Sequence, residues 1–357
     1  MTLSPFDSDR GPELPRGPRR NKKGRRRGDP NATVPEAKFS SYYGQQIVKP
    51  APWGHEIPAY FFLGGLAAGS GLIGALAHGK GLDVLRRNSR YGAMGAVALS
   101  GVALVADLGR PERFLNMLRT VKLTSPMSVG TWIFSAFSAS AGLAFAAEGA
   151  SALGLSSGSS TVARNVGKAI AVAGPLASVG SAAFSAPLAS YTAVLASDTA
   201  TPMWNESYRE LPLVFTGSAL AASSGLAMLT TPVAQTAEVR RLAVLGATAD
   251  IAAFHLMKHR LGELAEPLDQ GRPGRLAKAA TALTAAGAAG AALFGRTRIG
   301  AAASGLALMA GSAATRFAVV EAGIESAKDP KYTVIAQKAR LAARRASGQV
   351  TDSIATA

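Results

Sequence analysis

The stretch IPAYFFLGGLAAGSGLIGALAH, residues 57–78, decides the class of fold. It carries no acidic or basic side chain before its final histidine. An α-helix crosses about 30 Å of hydrocarbon with roughly 20 apolar residues, so this run is long enough to span a membrane. Gly65 and Gly69 add the small-residue spacing that lets two membrane helices approach closely. The run therefore predicts a transmembrane helix that packs tightly within a bundle.

Seven further runs of this kind follow along the chain. Charged residues make up only 17% of the sequence, against roughly 25% in soluble proteins, which argues against an ordinary soluble enzyme. We expect an all-α, polytopic membrane protein built as a bundle of eight transmembrane helices. In the second span, Arg90 is expected to snorkel towards the interface. The predicted spans are 57–78, 91–106, 128–147, 169–197, 211–237, 242–257, 279–295 and 299–320.

The first 50 residues differ in composition from the spans. Residues 16–27 hold eight Lys and Arg and no acid, among prolines and glycines, which predicts a disordered basic tail lying on anionic lipid. The expected organisation is a tail at 1–50, the membrane domain at 51–325 and a cytoplasmic C-terminal tail at 326–357. With the N-terminus inside, 27 of the 38 Lys and Arg fall on the inner side. The positive-inside rule then places both termini in the cytoplasm of a multi-pass cell-membrane protein.

One end of the predicted bundle collects polar residues that suit a quinone. His55, Glu56 and Tyr60 lie at the start of the first span, Asp107 follows the second, and Tyr191 lies near the end of the fourth. A quinone head group needs hydrogen bonds and protons at its two carbonyls, while its tail stays in lipid. The alternative is that these groups only cap helices and anchor the membrane interface. Both interpretations stay open on these residues alone.

Asp250 and Arg316 interrupt two predicted spans. An ionisable residue inside a membrane helix is costly and usually faces the bundle interior. The two residues form either a structural pair or part of a proton route, and the sequence does not choose between them.

Redox centres are restricted by composition. Cysteine is absent, which excludes a cysteine-held iron–sulfur cluster or a cysteine-ligated metal in this chain. The four histidines are poorly placed to ligate haem from two helices, so we expect neither haem nor another metal. Electrons would have to arrive from a partner.

Several motifs, taken in order, resemble the NrfD/polysulfide-reductase membrane-subunit family. The most specific is DLGRPERFLNMLR at 107–119, followed by SPMSVGTW at 125–132. The other matching motifs are WGHEIPAYFFLGGLAAGS at 53–70, YTAVL at 191–195, TPMWN at 201–205, RELP at 209–212, EAG at 321–323 and SAKDP at 326–330.

The resemblance implies an eight-helix subunit that binds menaquinone or ubiquinone without covalent attachment. It also implies a ferredoxin-like iron–sulfur partner and a molybdopterin catalytic subunit, for which a formate dehydrogenase is one candidate. Nucleic acid is not expected as a partner. Matching positions implicate Glu56, Tyr60 and Tyr191 in catalysis, and His55 and Asp107 with them in quinone binding. The partner would dock on Arg110, Arg113 and Arg209.

The expected function is a membrane anchor that exchanges electrons between the iron–sulfur partner and the quinone pool. The chain is then a subunit of an oxidoreductase complex, with no catalysis of its own beyond the quinone site. The alternative is an ion- or proton-translocating bundle or transporter without a redox role, with Asp250 and Arg316 on its path.

Overall fold

The computed structural model describes residues 45–154 and 161–348, and these are helical with no β-strand. The predicted basic tail lies outside the described residues. The α-helices are α1 (Glu56–Gly79), α2 (Asp83–Asp107), α3 (Arg113–Met117), α4 (Pro126–Ala152), α5 (Thr161–Ser197), α6 (Pro202–Glu206), α7 (Leu211–Thr230), α8 (Ala237–Leu261), α9 (Gly271–Leu293), α10 (Arg298–Lys328) and α11 (Pro330–Ala346).

Each of the eight predicted spans coincides with one long helix: α1, α2, α4, α5, α7, α8, α9 or α10. Within the described ranges, seven of these are long and apolar enough to cross a membrane; α8, which carries Asp250, is the exception. The prediction of an all-α polytopic membrane protein is confirmed, with the count of eight spans approximate. Helix α7, which corresponds to the fifth predicted span, ends at Thr230 rather than near residue 237, because Pro232 cannot continue a helix.

The second span also differs from its prediction. Helix α2 begins at Asp83 rather than near residue 91, so Arg90 lies about two turns inside it. Its side chain is buried and bonded to Glu148 of α4 instead of snorkelling to the interface. An acid on a neighbouring helix satisfies the guanidinium more directly than water does.

The long helices form two groups of four. Helices α1, α2, α4 and α5 pack together as the first half, and α7, α8, α9 and α10 as the second half. Helix α1 joins them, because it contacts α7 and α10 as well as its own group. The starts of α1, α4, α7 and α9 share one end of the bundle with the ends of α2, α5, α8 and α10. We call this end the N-terminal face.

Close helix contacts depend on glycine where two backbones meet. A Cβ on Gly225 of α7 would lie 2.5 Å from the carbonyl oxygen of Gly305 on α10, and a Cβ on Gly305 would meet Gly225 in the same way. Gly323 leaves room for the buried Trp204 of α6, whose Nε1 donates to the Val319 carbonyl over 2.8 Å. The second half is therefore locked onto α6 at the N-terminal face.

The segment predicted as a C-terminal tail continues as helix up to Ala346. Asp329 caps α11 by accepting a hydrogen bond from the Lys331 backbone N–H. Tyr332, Thr333 and Ala336 on α11 are buried, so its first two turns pack on the N-terminal face.

Candidate functional site

Tyr60 and Tyr191 meet inside the first half, close to the N-terminal face. Their ring centroids are 6.5 Å apart in an edge-to-face arrangement. Only 3% of Tyr60 and 8% of Tyr191 is exposed. Tyr60 is one turn into α1 and Tyr191 is two turns before the end of α5, so antiparallel packing of these helices brings the two phenols together.

An apolar shell holds the two tyrosines. Phe134 of α4 and Phe61 of α1 lie 6.1 and 5.7 Å from the Tyr60 ring centroid. Gly130 of α4 faces Tyr191, where a Cβ would come within 2.4 Å of the ring. This glycine therefore lets the tyrosine ring lie flat against α4.

The outer side of the same turn of α4 carries an apolar groove of about 300 Å³. It lies between the start of α4 and the middle of α5, and it faces the region that lipid would occupy. Its principal lining side chains are Leu123, Val129, Trp132, Ile133 and Phe184.

Glu56 and Asp107 lie above the tyrosines, at the rim of the bundle. Glu56 is the exposed first residue of α1, and Asp107 is the half-buried last residue of α2. The two carboxylates are close enough to repel each other electrostatically. The structure thus brings together four of the five predicted quinone-binding residues, in two pairs.

His55 is the fifth residue, and it faces away from the tyrosines. Its ring centroid is 6.2 Å from that of Phe317 on α10, on the side of α1 that meets the second half. Five residues in an α-helix turn the chain by about 500°, which places residue 55 about 140° around the helix from residue 60, so the two do not share a face of α1.

The predicted docking residues lie in the loops of the N-terminal face. Arg110 is exposed between α2 and α3, and Arg113 begins α3. Arg209 is exposed between α6 and α7, where its Nε donates to the Tyr208 hydroxyl over 2.8 Å. Nearby, Arg260 of α8 holds the buried Glu210 through its Nε over 2.6 Å. The loop between α6 and α7 is therefore anchored, and Arg110 and Arg209 are exposed to solvent.

A cleft of about 580 Å³ opens on the same face, between the start of α1, the start of α9 and the end of α10. We call it the α10 cleft. It was not predicted from the sequence, although Phe317, Glu321 and Glu325 are spaced by four residues and so share a face of α10. Its aromatic and polar lining includes Trp53, His55, Gln270, Arg272, Phe317, Glu321, Glu325, Lys328, Asp329 and Tyr332.

Tyr332 closes one side of the α10 cleft as a hydrogen-bond donor. Its hydroxyl donates to Glu266 over 3.0 Å, and Lys331 also binds that carboxylate. Burial, followed by the hydrogen bond to Glu266, raises the pKa of Tyr332 to about 12. The hydrogen bonds from Lys331 and Tyr332 lower the pKa of Glu266 below its ordinary value. This cluster fixes α11 to the segment that precedes α9.

Asp250 and Arg316 both face the interior of the second half, with 3% and 1% of each residue exposed. They are near enough to interact electrostatically but form no direct ion pair. The Nη2 of Arg316 instead donates to the Phe215 carbonyl over 2.7 Å, and the guanidinium lies 3.9 Å from the Phe215 ring centroid.

The part of the chain that the structure describes contains no group of three or more His, Asp or Glu side chains placed to hold a metal ion. Cysteine is absent from the whole sequence. The groups available for chemistry at the N-terminal face include phenols, carboxylates, arginines, His55, and His255 and His259 near the end of α8.

Comparison with known protein families identifies the family of this chain. The family described as polysulphide reductase, NrfD, matches residues 45–264, which is more than half of the chain and covers α1 to α8. The chain belongs to the NrfD family. No curated protein matches it. The family resemblance seen in the sequence is confirmed, although the motifs at 321–330 lie beyond the matched residues.

NrfD proteins are membrane subunits of polysulfide reductase-like complexes. They interact with quinones and typically pair with iron–sulfur and molybdopterin subunits. This chain is accordingly a multi-pass membrane subunit of such a complex.

Proposed function

We propose that this NrfD subunit binds a menaquinone or ubiquinone at Tyr60 and Tyr191 and exchanges electrons between the quinone pool and an iron–sulfur partner. The observation that carries the proposal is the buried, edge-to-face pair of phenols beneath two rim carboxylates. A quinone supplies two-electron, two-proton redox chemistry when it is bound.

The residues present fit a quinone in donor type and in the apolar character of their surroundings. Phenol hydroxyls are donors, and a quinone ring offers two carbonyl acceptors. The shell around them is apolar, as an aromatic ring requires. The groove at Trp132 and Phe184 supplies an apolar surface for a long hydrocarbon tail beside the same turn of α4.

The chain's own residues then have separate roles. Tyr60 and Tyr191 donate hydrogen bonds and hold protons at their hydroxyl oxygens, shielded from water by Phe61 and Phe134. Glu56 and Asp107 lie at the rim, where carboxylates can exchange protons with water. His55 lies on the other side of α1, so we place it at the rim of the α10 cleft rather than at the ring.

Electron transfer needs a partner because the chain has no cysteine. We propose that a ferredoxin-like iron–sulfur subunit docks on the N-terminal face, near Arg110, Arg113 and Arg209. A molybdopterin subunit, such as a formate dehydrogenase, would complete the complex. Arg110 and Arg209 are exposed and attract an acidic partner surface.

Turnover tests the quinone site. Tyr60→Phe and Tyr191→Phe remove one hydroxyl each and keep the rings, so the assembled complex should form while quinone turnover falls about 100-fold, as for the loss of an acid–base group. Glu56→Gln should slow turnover less. Tyr208→Phe, on an exposed tyrosine of the same face, is the matched control. Normal quinone kinetics in both buried-tyrosine variants would remove the assignment.

We also propose that the N-terminal face and both termini are cytoplasmic, from the distribution of Lys and Arg. Translocating a basic tail outward against the membrane potential costs about 2.3 kcal/mol per charge per 100 mV. Because the chain has no cysteine, single cysteines can be placed directly in the 1–50 segment and in the loop between α1 and α2. In intact cells an impermeant thiol reagent should label the loop and spare the tail. The reverse pattern would invert the orientation.

A further inference from the structure

The α10 cleft is deep. Its lining on α10 runs from Lys328 at the face down to Phe317. At 1.5 Å per residue these eleven steps correspond to about 16 Å, roughly half of a membrane's hydrocarbon thickness. Two acids, Glu325 and then Glu321, lie along this depth. Glu321 Oε1 is buried and has no hydrogen-bond partner among the described residues, although Arg272 Nη2 is 3.4 Å away.

The inner end of the cleft lies one helical turn from a buried arginine. Val320 lines the cleft and is four residues after Arg316 on α10, so the two share a helix face, and Arg316 is 1% exposed. Its Nη2 is bonded to the Phe215 carbonyl, but its Nε and Nη1 have no partner among the described residues. Buried donors are nearly always satisfied by protein or water, so two unmatched donors on one charged group point to water at this position.

Asp250, whose carboxylate also interacts with the Ser218 hydroxyl, lies beside a small cavity with both apolar and hydroxyl-bearing walls. This cavity measures about 10 Å³, which is close to the room that one water molecule needs. Three threonines, Thr281, Thr284 and Thr315, share its wall with the Asp250 carboxylate. Thr281 and Thr315 donate their hydroxyl protons to backbone carbonyls, which leaves lone pairs free to accept from water.

We propose that Asp250 is a proton-exchanging carboxyl, reached from the N-terminal face through the α10 cleft and past Arg316. A proton leaves Glu321 or a hydronium ion in the cleft, and a carboxylate oxygen of Asp250 takes it up. One O–H bond breaks and one forms, and no electron moves. Arg316 is the positioning residue, because its unmatched N–H groups hold the water between the cleft and Asp250. The route is a half-channel, open to one face.

A proton suits this position better than a metal cation does. A guanidinium close to Asp250 repels a bound cation, whereas it orients water by donation. The hydroxyl oxygens around Asp250 come from two helices, α9 and α10. They therefore line a space between helices and do not form a binding loop from one continuous segment of the chain.

Infrared difference spectroscopy of the full chain in lipid tests the proposal without any quinone. A pH step should produce a protonated-carboxyl C=O band that shifts in D₂O and is lost in Asp250→Asn. Asp250→Glu should restore a band at a shifted frequency, which separates loss of the carboxyl from loss of the fold. Glu321→Gln should keep the band but slow its hydrogen–deuterium exchange about tenfold or more. Glu263→Gln, an exposed acid outside the cleft, is the matched control and should leave the exchange rate unchanged.

Two results would overturn the proposal. If the pH-step spectra of the natural protein and Asp250→Asn are identical, Asp250 does not exchange protons and only pairs structurally with Arg316. If the band exchanges at the same rate in Glu321→Gln, protons do not reach Asp250 through the α10 cleft. Both results are independent of whether quinone binds at Tyr60 and Tyr191.

Discussion

The two halves of the bundle each bury an arginine and a carboxylate, and they pair them differently. In the first half, Glu148 Oε1 accepts from Arg90 Nη1 and from Arg86 Nε, both over 2.7 Å. In the second half, Arg316 turns to a backbone carbonyl and Asp250 faces a threonine-lined cavity. A closed ion pair fixes helices, whereas the Asp250 carboxylate is held only by the Ser218 hydroxyl and by its attraction to Arg316.

The unmatched donors reinforce this difference. Arg90 leaves only its Nε without a partner, since its Nη2 also bonds Ser178. Arg316 leaves both Nε and Nη1 unmatched. A buried charge is stable when it is paired and hydrogen-bonded. The buried arginine of the first half meets this condition, whereas the buried arginine of the second half meets it less completely. Departures of this kind are expected at functional positions.

Glu148→Gln should have the largest effect on stability. It leaves Arg90 without its counter-charge and leaves Arg86 with Asp83 alone, and breaking a buried ion pair costs about 3–5 kcal/mol. Denaturant unfolding in mixed micelles measures the loss. The control is Glu112→Gln, which changes an exposed acid in the loop before α3. Equal stability of the two variants would mean that the ion pair between Arg90 and Glu148 does not stabilise the first half.

Gly65→Ala should have the second-largest effect on stability, and it tests the packing around Arg316. The new Cβ would lie 3.1 Å from Ala219 Cβ and 3.4 Å from Arg316 Nη2. Overpacking of this kind costs typically 1–3 kcal/mol, and it should disturb the hydrogen bond to Phe215. Gly95→Ala is the matched control, because no atom lies within 4 Å of its added Cβ. A fully stable Gly65→Ala protein would show that α1 packs less closely against α7 and α10 than described.

Asp250→Asn should destabilise the protein less than Glu148→Gln does. No direct ion pair is broken and the amide fills the same space, so we expect a loss on the order of 1–2 kcal/mol. The same unfolding assay compares the two variants. If Asp250→Asn proves the more damaging substitution, the contrast between the two halves is reversed.

The smallest expected effect on stability comes from the ion pair that holds α11, between Lys331 and Glu266. The pKa of Glu266 is lowered by Lys331 and Tyr332, so its contribution is present above the unfolded carboxyl pKa and is lost as pH falls through the folded value. Lys331 has a raised pKa, chiefly through its hydrogen bond to Glu266, so its contribution is lost only as pH rises through that value. Because the pair is about one-third exposed, Lys331→Met should cost only about 0.5 kcal/mol.

Hydrogen exchange of the α11 amides reports this loosening. Exchange should rise in acid for the natural protein and already at neutral pH for Lys331→Met. Arg344→Met, on an exposed position of the same helix, serves as the control. No change in α11 exchange would mean that Tyr332 and Thr333 hold the helix without the ion pair.

Much of the fold follows from the apolar runs, because length and absence of charge suffice to predict a membrane helix. The pairing of Tyr60 with Tyr191 depends on which helices meet, and the family motifs supplied that information. Arg90 was mistaken for a snorkelling residue because its partner Glu148 lies outside the charge-free run of α4. The α10 cleft was missed because three segments far apart in sequence form it, and its acids resemble an ordinary solvated helix end.

Photolabelling with an azidoquinone tests the central claim most directly. The full chain in lipid is illuminated with the probe, with and without excess natural quinone, and labelled peptides are sequenced. Binding at the two tyrosines predicts competable label in the end of α5 around Tyr191, together with the start of α1. Label confined to α10 between Phe317 and Lys328 would contradict the account, because it would place the quinone in the α10 cleft.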